Sequence, residues 1–519
     1  MERVRKLTRE KQKGRGLSLI NLDEPEDDEP TKYDDTLRKK TRRSIGWTLV
    51  RIASDQVFSF IVFVILARLL SPSEFGAFAL AVAFSEVGRV IAVSGMVQNI
   101  ARAQRMSPGL ADTVFWTNLA MSVAVALVVL ALAPLVMDLI GQPDATAPLQ
   151  ALGLVLPIVA LGATHLSLRL REFGHKSLAL RSVAGGTIGG AAAIAAAFAG
   201  WGIWSLVVQR FVTEAVNAIM SWHAYKWLPG RNVSWLQLRA IWGFGFDVTL
   251  TQILSLLPRR ATDVVVGAMI DTAAVGIFRT ARRTNELILS GTVHPFTTVA
   301  MQTLARLQAN TEELVKAYRW MLSKSTMLTI PAFVGFGVLA PDAVPAIFGA
   351  QWAHSGEIVQ ILTFMVVSSS FSNFTGPLLM AIGRASSLRT FTLGQVISTV
   401  VFVAAAAPFG LIAVAWASVA RSYLALPFQL WLLRRTCGIR PRDTFAAIAA
   451  PLAASLIMGA GVWALMLVIR PYFEIVLIPI FICVAAGVAL YAIALYALSA
   501  EARKLLRTQL KAWRTRRRA

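Results

Sequence analysis

The chain has 519 residues, 56% of them hydrophobic and only 15% charged, with a mean hydropathy of +0.60. A soluble protein of this length carries roughly 25% charged residues, so soluble α/β and all-β classes are excluded. The formal charge of +22 does not point to nucleic acid, because the basic residues crowd both tails and the short loops between apolar runs. There they act as topology signals and as contacts for anionic membrane lipids.

Residues 1–43 alternate a basic stretch, an acidic cluster and a second basic run, and read as a disordered, charged tail. Fourteen apolar stretches follow, near 45–69, 75–98, 113–140, 148–168, 178–200, 202–226, 241–258, 273–300, 320–346, 356–382, 388–408, 410–433, 444–469 and 474–499. A helix needs about 20 such residues to cross a bilayer core. The expected fold is all-α and polytopic, with two six-helix lobes at 44–226 and 227–435. A helix pair at 436–500 and a basic tail at 501–519 complete the chain.

Lys and Arg gather in alternate connections: Arg102 and Arg105, then Arg169 to Arg181, Lys226 to Arg239, Arg306 to Arg319, Arg384 and Arg389, and Arg434 to Arg442. The connections 141–147, 201, 347–355 and 409 carry none. With both tails basic, the positive-inside rule places both termini in the cytoplasm. Arg68, Arg259, Arg260 and Arg470 are the exceptions.

Residues 66–86 (LARLLSPSEFGAFALAVAFSE) align without gaps to 266–286 (VGAMIDTAAVGIFRTARRTNE). Gly76 falls on Gly276, Phe78 on Phe278, Ala81 on Ala281 and Glu86 on Glu286. The offset spans six helices, an even number, which predicts a parallel repeat with the substrate path at the interface of its halves.

Charges within apolar spans are the informative residues, since each costs at least about 2.5–3.5 kcal/mol in a bilayer core without a partner or cavity. The first span holds Arg51 and Asp55, the second Glu86 and Arg89, the sixth Arg210 and Glu214. The seventh holds Asp247 and is expected to end at Arg259-Arg260, with Asp263 just beyond. The eighth presents Arg279, Arg282, Arg283 and Glu286 on one broad face, three cations against one acid. Excess positive charge inside a bundle calls for an anion, and arginine grips phosphate oxygens in bidentate fashion. Arg259, Arg260, Arg279, Arg282 and Arg283 are therefore the expected diphosphate contacts. Arg51, Asp55, Glu86, Arg89, Asp247, Asp263 and Glu286 are expected as cavity counter-charges or ion-coupling groups, with a proton or sodium gradient as the candidate driving force. Arg210, Lys324 and Arg421 are expected to pair or to reach an interface. Prolines 258, 295, 331, 377, 427 and 451 are hinge candidates.

No catalytic chemistry is expected. Cys437 and Cys483 form neither a disulfide framework nor a metal site, the five histidines are scattered, and serine-elbow and phosphate-loop motifs do not occur. No cleavable leader and no cofactor are expected.

Seven stretches in order carry a family resemblance: LARLLSPSEFGAFALA, LRLREFGHKSLALRS (168–182), AGWGIWSLVVQ (199–209), DVVVGAMIDTAAVGIF (263–278), LARLQANTEELVKAYR (304–319), IPAFVGFGVLAP (330–341) and GPLLMAIGR (376–384). Over roughly residues 44–435 the chain resembles the polysaccharide transporter (Wzx-type) branch of the multidrug/oligosaccharidyl-lipid/polysaccharide flippase superfamily. The resemblance implies fourteen helices around a central cavity in a bacterial inner membrane. It also implies transport, by alternating access, of undecaprenyl-diphosphate-linked oligosaccharide for exopolysaccharide, capsule or O-antigen synthesis. Polymerase and chain-length machinery are the candidate protein partners. The alternatives are a peptidoglycan-precursor flippase, a drug or cation antiporter with an acidic cavity, and a membrane glycosyl polymerase, which needs long outer loops that this chain lacks.

Overall fold

A computed structural model describes residues 56–102, 109–172, 174–499 and 503. The charged tail at 1–43 and the candidate residues Arg51 and Asp55 lie outside the described residues. Helices dominate, and among the described residues there is no strand. We number them α1 (Gln56–Leu69) and α2 (Pro72–Arg89, continuing through a π-helical stretch Val90–Ser94 into Gly95–Arg102). Then come α3 (Leu110–Ile140), α4 (Thr146–Arg171), α5 (His175–Phe198), α6 (Trp204–Ala224), α7 (Trp235–Met269) and α8 (Thr272–Thr292). The last eight are α9 (His294–Arg306), α10 (Thr311–Phe348), α11 (Ala353–Thr363), α12 (Val366–Ala381), α13 (Ala385–Ala406), α14 (Leu411–Cys437), α15 (Pro441–Ile469) and α16 (Leu477–Leu498).

Each expected span falls on helix, the first over its described part alone. Ten of the described helices are long and apolar enough to cross a membrane, or eleven when the bent pair α11–α12 counts as one. The surface agrees with a lipid environment: Leu139, Phe198, Phe409 and Phe481 are among many large apolar side chains left exposed.

Two expectations about breaks need correction. The seventh span does not stop at Arg259-Arg260, because α7 runs on to Met269 through Pro258. A membrane helix tolerates proline when neighbouring groups meet the freed carbonyl. The sharp bend of 68° between α11 and α12 lies at Phe364–Met365 and not at Pro377, which sits inside α12.

The pairing of helices repeats along the chain. In the first half α2 packs on α4, α3 on α4, α5 on α6 and α4 on α6. In the second half α8 packs on α11, α10 on α11, α13 on α14 and α11 on α14. The repeat segments also meet face to face. A Cβ on Gly76 would lie 1.6 Å from the Thr272 carbonyl oxygen, and one on Gly276 would lie 2.0 Å from the Pro72 carbonyl oxygen. Pro72 and Thr272 are themselves partners in the alignment, so the contact is reciprocal and glycine is required at both positions. The helices start alike. The Ser71 hydroxyl accepts from the Glu74 amide in a capping box, and the Asp271 carboxylate accepts from the Ala274 amide at 2.6 Å.

Two of the exceptional arginines have structural partners. Arg68 donates to the carbonyls of Ala346 and Ile347 at 2.7 and 2.8 Å, at the C-terminal end of α10. Arg470 pairs with Asp342 at 2.8 Å.

Candidate functional site: an arginine-faced cavity

Helix α8 builds the site from its own periodicity. Positions 279, 282, 283 and 286 recur at helical spacing and share a face. The opposite side, with Ala274 and Ala281, is buried in the core. Its close approach to α2 at Gly276 fixes how that arginine face is presented.

Beside it lies a cavity of about 710 Å³ walled by α7, α8, α12, α13 and α14. Arg259, Arg282, Arg283 and Arg421 line it, with Glu286 as the carboxylate on the wall. The remaining wall is rich in hydroxyl and amide groups, including Ser369, Asn373, Thr392, Gln395 and Ser418. A second cavity of about 500 Å³ lies toward the first half and is lined by Arg210, Arg279, Gln209 and Asn217. Arg283 borders both. Phe78 lines the second cavity and its repeat partner Phe278 the first.

The arginines differ in how they are held. Arg282 is spoken for: it donates to both oxygens of Asp263 at 3.1 and 3.3 Å and to the Arg259 carbonyl at 2.9 Å. Asp263 is 2% exposed and also meets Arg260 at 3.5 Å. Arg283 donates to the Ser59 hydroxyl at 2.8 Å and has no carboxylate partner among the described residues. The Arg259 side chain is exposed and has no polar partner among the described residues. One terminal nitrogen of Arg279, Nη1, is buried without a hydrogen-bond partner. A buried donor of that kind costs free energy unless a ligand or water meets it.

Several expected residues fall elsewhere. Glu86 and Arg89 pair at 2.6 Å, and Arg210 joins Glu86 at 2.8 Å and Glu214 at 3.6 Å, a closed network within the first half. Arg210 therefore pairs as expected. Arg260 is turned to Asp263 and does not line the cavity. Asp247 is exposed on α7 and lines neither cavity. Glu286 faces the larger cavity with no polar partner among the described residues. Arg421, expected to be a paired or interface-directed residue, instead lines the cavity with no ion pair to a described residue. A lone arginine in an apolar helix gives no signal in sequence that separates these two roles.

Among the described residues no cluster of His, Cys, Asp or Glu could hold a metal ion. The geometry offers a large, net-positive chamber with many hydroxyl and amide groups on its wall.

The structure resembles that of the lipid II flippase MurJ in an inward closed conformation, with a TM-score of 0.72 at 14% identity, covering 89% of this chain and 100% of that one. An inward-facing multidrug resistance MATE family transporter of the MOP superfamily aligns with a TM-score of 0.58 at 17% identity, over 75% of this chain and 98% of that one. In sequence, the succinoglycan biosynthesis transport protein ExoT of Rhizobium meliloti is 25% identical over 428 residues, or 81% of this chain and 85% of that protein. The lipopolysaccharide biosynthesis protein WzxC of Escherichia coli is 21% identical over 356 residues, covering 67% and 71% of the two chains. The family described as polysaccharide biosynthesis protein matches residues 65–357, more than half of the length. The chain is a multi-pass membrane protein that belongs to the polysaccharide biosynthesis protein family.

Proposed function

We propose that the protein is a flippase that moves undecaprenyl-diphosphate-linked oligosaccharide repeat units from the cytoplasmic to the periplasmic leaflet of a bacterial inner membrane. Both termini lie in the cytoplasm in this reading, as the distribution of basic loops requires. The observation that carries it is the composition of the larger cavity: four arginines against one carboxylate, on a wall of hydroxyls and amides. The arginines suit a diphosphate and the neutral polar wall suits a glycan. The relatives at 25% and 21% identity, one named for transport in succinoglycan biosynthesis and the other for lipopolysaccharide biosynthesis, support the same class of cargo. A cationic drug would meet repulsion in this chamber, which disfavours the antiporter reading.

Alternating access then needs no covalent chemistry. The two halves exchange contacts around a fixed site, and the reciprocal Gly76–Gly276 crossing is a close contact between them. Coupling to a proton gradient falls to Glu286, which faces the cavity with no hydrogen bond or ion pair to a described residue. Polymerase and chain-length proteins remain the proposed recipients of the cargo.

Deleting the gene tests the assignment. Polymer export is expected to stop while lipid-linked repeat units accumulate on the cytoplasmic side, and a plasmid copy restores both. Continued export without accumulation of intermediates rejects the assignment.

A further inference from the structure

Arg421 and Gln395 line two spaces at once. One is the central cavity, and the other is a cleft of about 210 Å³ between α13 and α14. The cleft is walled by Phe391, Phe402, Phe428 and Leu424. Phe391 stacks on Phe428 at 6.3 Å, and Phe428 on Trp431 at 5.7 Å. Its outer rim faces away from the protein, with Leu424 64% and Phe428 47% exposed. From outside inward the sequence of environments is an aromatic channel, an arginine with no ion pair among the described residues, and a large polar chamber.

That order matches one kind of molecule, an amphiphile with a single apolar chain, an anionic junction and a bulky polar head. An unpaired arginine at membrane depth is costly unless an anion visits it. A cleft of about 210 Å³ has room for a segment of a single chain, whereas ordinary bilayer lipids carry two. Under the orientation proposed above, Phe391 and Phe428 lie in the cytoplasmic half of their helices, on the leaflet where the cargo is made.

We propose that the α13–α14 cleft is a lateral port that holds the diphosphate-proximal segment of the polyisoprenyl chain of a diphosphate lipid, with Arg421 receiving the diphosphate where the cleft opens into the cavity. The inference rests on the flippase reading, because it takes the cargo class from it. The chain stays in the membrane-facing cleft while the glycan occupies the polar chamber. Gly394 matters here for the space it leaves: a Cβ there would meet nothing within 4 Å, so a larger side chain can enter the cleft without backbone collision.

Photo-crosslinking of the full-length protein in lipid nanodiscs tests the port. A benzoylphenylalanine replaces Phe428 in one variant and Phe481, an exposed residue of α16, in the other. The probes are radiolabelled polyprenyl diphosphate and the polyprenyl alcohol of equal length, both without sugar. Phe428 is expected to label with the diphosphate about ten-fold more than with the alcohol, while Phe481 shows no preference. Adding Gly394→Phe or Arg421→Gln should bring Phe428 labelling down to the Phe481 level with inserted protein unchanged, and Arg421→Lys should restore most of it. Equal labelling by both probes marks ordinary lipid contact and overturns the port, as does labelling that survives both substitutions. Polymer export in a strain lacking the native gene separates the two claims. Export restored by a protein whose Phe428 shows no diphosphate preference rejects the port alone. Diphosphate-selective labelling without any restored export rejects the flippase reading and leaves the lipid site standing.

Discussion

Glu86 and Glu286 occupy matching positions of the internal repeat, yet one is ion-paired to two cations and the other faces a cavity with Arg279 as a charged neighbour and no ion pair to a described residue. Glu86 is 8% exposed and held by Arg89 and Arg210, with Glu214 completing a network of two acids and two bases. Glu286 faces the larger cavity without a partner among the described residues, on a helix that also carries Arg279, Arg282 and Arg283. The positions matching those three arginines in the first half are Ala79, Val82 and Ala83, of which both alanines are buried. The first half of the parallel repeat therefore uses its charge cluster to tie its own helices together, and the second half leaves its cluster open for a ligand. Balanced, ion-paired charge is structural; unbalanced charge on a polar cavity is available for work on an anion.

The contrast yields tests of decreasing size. Glu86→Ala leaves Arg89 and Arg210 sharing only Glu214; the two arginine side chains are 38% and 34% exposed, so the cost lies toward the lower end of the about 3–5 kcal/mol that breaking a buried pair incurs. Inserted protein is expected to drop sharply while export per inserted molecule is kept. A full amount of inserted protein with lost export would place Glu86 in transport and break the contrast.

Asp263→Asn should cost less, about 1–3 kcal/mol, because Arg282 keeps its bond to the Arg259 carbonyl and already borders the cavity. Thermal denaturation in detergent is expected to shift down by a smaller amount than for Glu86→Ala. A larger shift would make Asp263 the main anchor between α7 and α8.

Glu286→Gln should leave folding and amount unchanged. In vesicles its transport rate is expected to equal that of the wild type with the proton gradient collapsed, and to ignore the gradient thereafter. Transport that still accelerates with the gradient removes Glu286 from coupling. The smallest effect belongs to Lys316→Ala at the start of α10. There Lys316 meets Glu312 and Glu313 at 2.8 and 3.3 Å on an exposed surface, and such pairs contribute little in water. Abundance and export should both match the wild type.

Much of this contrast is legible in the amino-acid sequence. The repeat alignment pairs Gly76 with Gly276, and the two meet in space because only glycine lets the helices cross so closely. The spacing of Arg279, Arg282, Arg283 and Glu286 places them on one face by helix geometry alone. Partner identity is not legible. Pro258 reads as a helix terminator, which puts Asp263 beyond the end of the span and hides its capture of Arg282 from within α7. Asp247 and Arg421 are each a lone charge in an apolar helix. Only the packing of α7 and α14 decides that the first is left outside the cavity and the second lines it.

Binding of polyprenyl diphosphate to purified protein measures the central claim most directly. Arg259 and Arg283 are the cavity arginines of α7 and α8 that no carboxylate holds among the described residues. Each charged hydrogen bond is worth about 1.5–3 kcal/mol, so losing two should weaken binding by about a hundred-fold or more. The Arg259→Ala/Arg283→Ala protein is expected to show that loss with unchanged abundance and melting temperature, and the double lysine variant to recover part of it. A Kd within about three-fold of the wild type would contradict the assignment of this arginine face to the diphosphate.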